Sequence, residues 1–207
     1  RIYCNIKFTY GILLFGETMI LKVMRHSLTN LNESQRIQGQ IDIPLSANGE
    51  QLAHRIWIDF EFGPFDYIVS SPLLRATQTA IIASKHLNYN KPIVMLQAFI
   101  ERNFGMLDYQ PIETSRPLLK HPENIEGFEH NEAFESRITK GLNILHKYYS
   151  NQMLLVFCHS HVIKGLLHIS SNVEASYIKT KIDHESILVF DYGGNTLNYI
   201  ERIKKNT

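Results

Sequence analysis

The chain is poor in cysteine, with only Cys4 and Cys158 in 207 residues. The two lie in unlike local contexts, which gives no disulfide framework and points to a reducing, cytoplasmic setting. Net charge is also nearly absent: 21 Lys and Arg against 20 Asp and Glu leave +1. That balance argues against nucleic-acid and membrane-surface partners, which call for a clustered basic face. Long apolar runs are missing too, since a membrane span needs about 20 residues. The longest run near the start, residues 10–15, ends at Gly16-Glu17-Thr18, a poor leader-cleavage site. No internal repeat, low-complexity tract or domain boundary stands out. What is present, 44% hydrophobic and 20% charged residues, fits one globular domain with a sizeable core. Met19 directly precedes a strand-like run, so residues 1–18 are expected to be an extension and residues 19–207 a single folded domain.

Strand and helix patterns alternate along that domain. Residues 20–24 read as a buried strand ending at Arg25-His26, and a polar loop follows. Ser46 precedes a helix expected to reach about Phe60, with Leu52, Ile56 and Phe60 on one face. Residues 67–69 form the next strand pattern, and Pro72 suits the first turn of a helix over 73–87. Residues 93–96 suggest a third strand. Residues 99–129 have little periodicity and read as a lid or binding insertion. Helix 133–149, strand 153–157 and helix 162–169 follow. Strands 187–192 and 196–200 flank Gly193-Gly194-Asn195, a hairpin signal. This order predicts an α/β three-layer sandwich, a mainly parallel sheet with helices on both faces.

In such sheets ligands bind beyond the carboxyl ends of the strands. Arg25-His26, Ser70-Ser71 with Arg75, and His159 all fall there. Two guanidinium forks can hold the oxygens of a phosphoryl group, a neutral imidazole can attack phosphorus, and a carboxyl group such as Glu101 can protonate the leaving alcohol. His159 and His161 are too few to make a metal centre, and no metal or cofactor is expected. A cysteine-dependent phosphatase would carry Arg six residues after its cysteine; Lys164 stands there after Cys158. His121, His130, His146 and His168 read as surface or helix residues, and His184 as a pocket-rim residue without an assigned role.

These segments, with Arg36-Ile37-Gln38-Gly39, residues 42–46 and Asn48-Gly49, resemble the histidine phosphatase superfamily, in its phosphoglycerate-mutase-like branch with the Arg-His-Gly motif. The resemblance spans about residues 19–200. It implies that His26 becomes phosphohistidine, that Arg25, Arg75 and His159 hold the phosphoryl oxygens, and that Glu101 is the acid and base. It also implies phosphate or substrate contacts from Thr29, Asn32, Gln38, Gly39 and Ser160, with no metal. Ser27 and Ser160 depart from the family's glycines. A positive φ or a close approach to phosphate at either position would make serine costly.

The expected activity is hydrolysis of a small phosphorylated metabolite. Two alternatives are a phosphoglycerate-mutase-type transferase and a catalytically silent domain that binds phosphorylated ligands. Mutases of the family carry a longer, more basic insertion. Here residues 107–149 hold the acids Asp108, Glu113, Glu123, Glu126, Glu129, Glu132 and Glu135 against Arg116, Lys120, Arg137, Lys140 and Lys147, which gives no second anion clamp. Phe104, Met106, Leu107, Tyr109, Ile112, Leu118, Leu119 and Phe128 of the insertion either line the leaving-group side or pack the lid.

Overall fold

The computed structural model describes residues 17–58 and 60–205. Its strands are β1 (Met19–Arg25), β2 (Tyr67–Ser70), β3 (Val94–Met95), β4 (Met153–Cys158), β5 (Ser186–Tyr192) and β6 (Leu197–Lys204). Its helices are α1 (Asn30–Glu33), α2 (Ala47–Ile56), α3 (Leu74–His86), α4 (Ile112–Ser115), α5 (Asn131–Tyr149) and α6 (Ser160–Ile169), with short 3-10 turns in the insertion. The strands form one sheet in the order β3-β2-β4-β1-β5-β6. The first four run parallel, β5 is antiparallel to β1, and β6 is antiparallel to β5.

Strand alternation divides the core into two layers. Leu154, Val156 and Cys158 of β4 turn one way, where Phe134, Ile138 and Leu142 of α5 and Val162, Ile163 and Leu166 of α6 cover them. Leu155 and Phe157 turn the other way, onto Leu52 and Ile56 of α2, Ala80 and Ala83 of α3, and Trp57. Each such fully buried aliphatic or aromatic side chain contributes roughly 1.5–3 kcal/mol of transfer free energy. The result is the three-layer sandwich the pattern predicts.

Several boundaries differ from the sequence reading. Helix α2 stops at Ile56, and Phe60 reaches the same core from the following loop, beside Trp57 and Phe62. Burial preserved the apolar spacing there without the helix. Pro72 lies outside α3, whose N-cap is the extended Leu73. Strand β3 has only two residues. Helix α6 begins at Ser160, two residues early, and β6 runs on to Lys204. The insertion builds a small core of its own from Ile37, Phe104, Leu107, Ile125 and Phe128, with Leu119 against it. Met106, Tyr109, Ile112 and Leu118 are exposed. Phe104, Leu107, Leu119 and Phe128 therefore pack the lid. Most of the N-terminal extension proposed over residues 1–18 lies outside the described residues. Among the described residues no helix is long and apolar enough to cross a membrane.

Candidate functional site

Three parallel strands deliver their last residues to one edge. Beyond β1 the His26 amide donates to Cys158 O at 2.9 Å, and beyond β2 the Ser71 amide donates to Phe157 O at 2.9 Å. The sheet ladder thus continues into the site and holds its backbone. His159 follows β4 and serves as the extended N-cap residue of α6.

His26 is buried, and its Nδ1 lies 2.6 Å from Ser27 O. A carbonyl can only accept, so Nδ1 carries the proton and Nε2 keeps its lone pair. Arg75 Nε–H points at that Nε2 across 3.2 Å. Burial first, then Arg75, His159, Arg25 and His184, hold the imidazole well below its ordinary pKa, so His26 is neutral. The His159 ring lies 5.2 Å from that of His26 and is likewise held well below its ordinary value, by burial and then by Arg75, Arg25 and Arg137. Its Nε2 pairs with Ser71 Oγ at 2.7 Å, while its buried Nδ1 has no hydrogen-bond partner.

Arg75 enters from the first turn of α3 and is fully buried. Its terminal nitrogens donate to Ile41 O at 2.6 Å and Gly39 O at 2.8 Å. Gly39 holds φ +50°, and a Cβ there would come within 2.2 Å of Asp108 Oδ1. Only glycine lets this loop both turn and meet the lid. Arg25 is half-buried and donates to Ile182 O at 3.0 Å, with its buried Nε unpartnered. Burial lowers its pKa to about 10, so it stays cationic.

Glu101 is 7% exposed, and its two carboxylate oxygens accept the amides of Arg102 at 2.9 Å and His161 at 3.2 Å. The second of these amides belongs to the first turn of α6. Arg137 fixes the backbone behind this carboxylate: it donates to Glu101 O at 3.0 Å, to Ala98 O and Ile100 O, and pairs with Glu129 through two hydrogen bonds.

The remaining sequence candidates divide. Thr29 and Asn32 close a reciprocal capping box on α1, and Thr29 Oγ1 also donates to Gln38 Oε1 at 2.9 Å. Gln38 is buried at that contact. Ser160 is the partly exposed first residue of α6. Neither Ser27 nor Ser160 has a positive φ. Ser27 Oγ–H donates to Gly49 O at 2.7 Å, so its side chain ties the loop to α2. Gly49 itself has no room for a side chain, because a Cβ would sit 1.9 Å from Leu28 O. The cost foreseen for serine after each histidine does not arise in the backbone.

Three residues with defined contacts carried no assigned role in the sequence, although His184 was placed at the pocket rim. Ser71 lay in the Ser71-Pro72 segment without a role. His184 bonds the backbone of His26, 158 positions away. Arg137 sits mid-helix, where nothing local distinguishes it from a solvated charge. Cys158 is buried, and its thiol is pushed well up by burial, which disfavours a thiolate. Among the described residues no group of three or more His, Cys, Asp or Glu side chains could hold a metal ion.

Taken together, the edge presents two arginines, two neutral imidazoles and one carboxylate enclosed by backbone donors. Such a set can bind a phosphoryl dianion and exchange a proton beside it.

The chain is similar to known proteins over most of its length. The family model for the histidine phosphatase superfamily (branch 1) matches residues 21–204. A Bacillus subtilis protein named uncharacterized phosphatase PhoE is 35% identical over 146 residues, 70% of this chain and 74% of its own. An Escherichia coli probable phosphoglycerate mutase GpmB is 32% identical over 119 residues, 58% of this chain and 53% of its own, so the match spans about half of that relative. A Bacillus anthracis phosphoglycerate mutase structure superposes with TM-score 0.77 at 20% identity, covering 90% of this chain and 93% of that one. A mutant phosphoserine phosphatase from Entamoeba histolytica, in complex with phosphoserine, superposes with TM-score 0.75 at 22% identity, covering 89% and 96%. The two structures establish the fold, and with the family match over residues 21–204 the chain belongs to branch 1 of the histidine phosphatase superfamily.

Proposed function

We propose that the chain is a metal-independent phosphomonoester hydrolase that passes through phosphohistidine on His26. The observation that carries the reading is the state of that ring. Nδ1–H is committed to Ser27 O at 2.6 Å, and the Nε2 lone pair faces Arg75 at 3.2 Å, where a phosphoryl group would be held.

In the first step His26 Nε2 attacks phosphorus, the P–O ester bond breaks, and Glu101, entering as the acid, gives its proton to the departing alkoxide. In the second step Glu101 takes a proton from water, the water oxygen attacks phosphorus, and the N–P bond returns its electron pair to Nε2. Arg25, Arg75 and His159 stabilise the charge on the equatorial oxygens in both steps. The test is aryl phosphate hydrolysis with chelator present, together with acid-labile, base-stable labelling of the protein. Turnover and label in the wild type, both lost in His26→Ala, support the reading. Wild type without either overturns it.

A small phosphorylated metabolite fits as the substrate. Phe104, Leu107 and Phe128 of the lid are occupied with one another, which leaves them unavailable to an extended apolar leaving group.

Phosphoryl transfer to a second substrate is the alternative that a specific observation favours. Lys164 and Arg102, both outside residues 107–149, are buried beside Glu101, and Lys164 also feels Arg116 of the lid. Incubation with a phosphorylated donor and an unphosphorylated acceptor separates the two: free phosphate as the dominant product supports hydrolysis, and acceptor phosphorylation supports transfer.

A further inference from the structure

Four hydrogen bonds run in series through the backbone of His26. His184 Nδ1–H donates to His26 O at 2.6 Å. His26 Nδ1–H donates to Ser27 O at 2.6 Å, and Ser27 N–H donates to Thr79 Oγ1 at 3.0 Å. Thr79 Oγ–H then donates to Arg75 O at 2.7 Å. The peptide between His26 and Ser27 is therefore held at both polar ends, its oxygen by His184 and its N–H by Thr79. It links the imidazole of His26 to the carbonyl that fixes the ring's tautomer. A rotation of that peptide moves Ser27 O away from Nδ1, and the Nε2 lone pair then loses its assignment.

His184 comes from the loop between α6 and β5. Two residues earlier, Ile182 O accepts Arg25 Nη1–H at 3.0 Å. One short segment thus holds both Arg25 and His26. The His184 ring stands edge-on to that of His26, with centroids 5.9 Å apart. Burial and Arg25 push its pKa down to about 3, so it adds no third positive charge and serves as a fixed neutral donor.

We propose that His184 is a positioning residue for the nucleophile: its Nδ1–H bond to His26 O locks the peptide that sets the tautomer and direction of the His26 ring. This rests on the reading of His26 as nucleophile. Thr79 locks the other end and ties it to the backbone of Arg75, so nucleophile and phosphate clamp are registered through a single chain of bonds.

Three substitutions test it. Asparagine places an amide nitrogen where imidazole Nδ1 stands, glutamine places it one bond farther out, and alanine removes the donor. His184→Ala is expected to lower kcat for an aryl phosphate on the order of 10- to 100-fold, the scale of a small misplacement of a reacting group, with KM within about twofold. His184→Asn is expected to recover most of kcat, and His184→Gln little. The direct readout is the ring-nitrogen NMR of 15N-histidine protein: His26 shows a protonated Nδ1 and a bare Nε2 in wild type and in His184→Asn, and a tautomer mixture in His184→Ala. Equal loss in all three variants, or losses that follow melting temperature with the His26 tautomer unchanged, overturn the proposal. If wild type shows no turnover, the nucleophile reading fails, and the NMR comparison still decides whether His184 sets the ring.

Discussion

Arg75 aims its Nε–H at His26 Nε2 across 3.2 Å while its other nitrogens are taken up by Ile41 O and Gly39 O. The loop carbonyls orient the guanidinium before any ligand arrives, so little reorganisation is left for the reaction.

Arg75→Lys keeps the charge and loses the fork. One ammonium cannot serve two carbonyls and also face the ring. The expected outcome is a fall of about 10²–10³ in kcat/KM for an aryl phosphate, the scale of losing a preorganised charge-stabilising donor. Steady-state kinetics alongside a thermal melt would check it, and a loss below tenfold would contradict the preorganised-clamp reading.

Ser27 spans a gap that glycine would leave open. Ser27→Gly deletes the bond from Oγ to Gly49 O and is expected to cost about 1 kcal/mol of stability while leaving kcat within about twofold. Gly49→Ala, whose Cβ would meet Leu28 O at 1.9 Å, is expected to cost more, about 1–3 kcal/mol or above, by overpacking. Urea unfolding of the two variants orders them, and the reverse order would refute the assignment.

Asp108 titrates in an unusual range. Burial raises its pKa from 3.8 to about 6, against a smaller pull from Arg75, and its Oδ1 is buried without a hydrogen-bond partner. The folded state therefore holds the proton more tightly than the unfolded state does. The stabilisation is fully present below about pH 3.8 and is lost as pH rises through about 6. Asp108→Asn is expected to flatten this part of the stability curve and to be the more stable protein at pH 7. Denaturant midpoints measured from pH 4 to 7 in both proteins test the sign.

His26 keeps its lone pair into acid. Its pKa is held well below 6.5, so the nucleophile is not lost as pH falls through the ordinary histidine range. The acid limb of kcat/KM is expected to lie clearly below 6.5. A limb centred at 6.5, moved by substitutions around His26, would show that the ring is more hydrated than its burial implies.

The fold was legible where apolar spacing and strand length coincide. Strand β4 is buried on both faces, and its run of Met, Leu, Leu, Val, Phe and Cys reads as a central strand. Phe60 shows the limit of the same signal. Its spacing from Leu52 and Ile56 continues a helix that the chain leaves at Trp57, because the core asks only that Phe60 be buried and a loop satisfies that. The insertion was legible as irregular, but not as a unit with its own core, since Ile37 joins Phe104 and Phe128 from far along the chain.

Residue types and their order placed Arg25, His26 and His159 at strand ends, and Arg75 in the helix that follows one, because a parallel sheet sends every such end to one edge. The contacts that give those residues their state came only with the tertiary structure. Arg137 behind Glu101, His184 on His26 O and Gly39 O on Arg75 are each separated from their partners by more than 30 positions. A local pattern encodes which face a side chain takes, through periods of 2 and 3.6 residues. It does not encode which distant carbonyl that side chain will meet, and in this site those meetings set the tautomer, the charge and the direction of each reacting group.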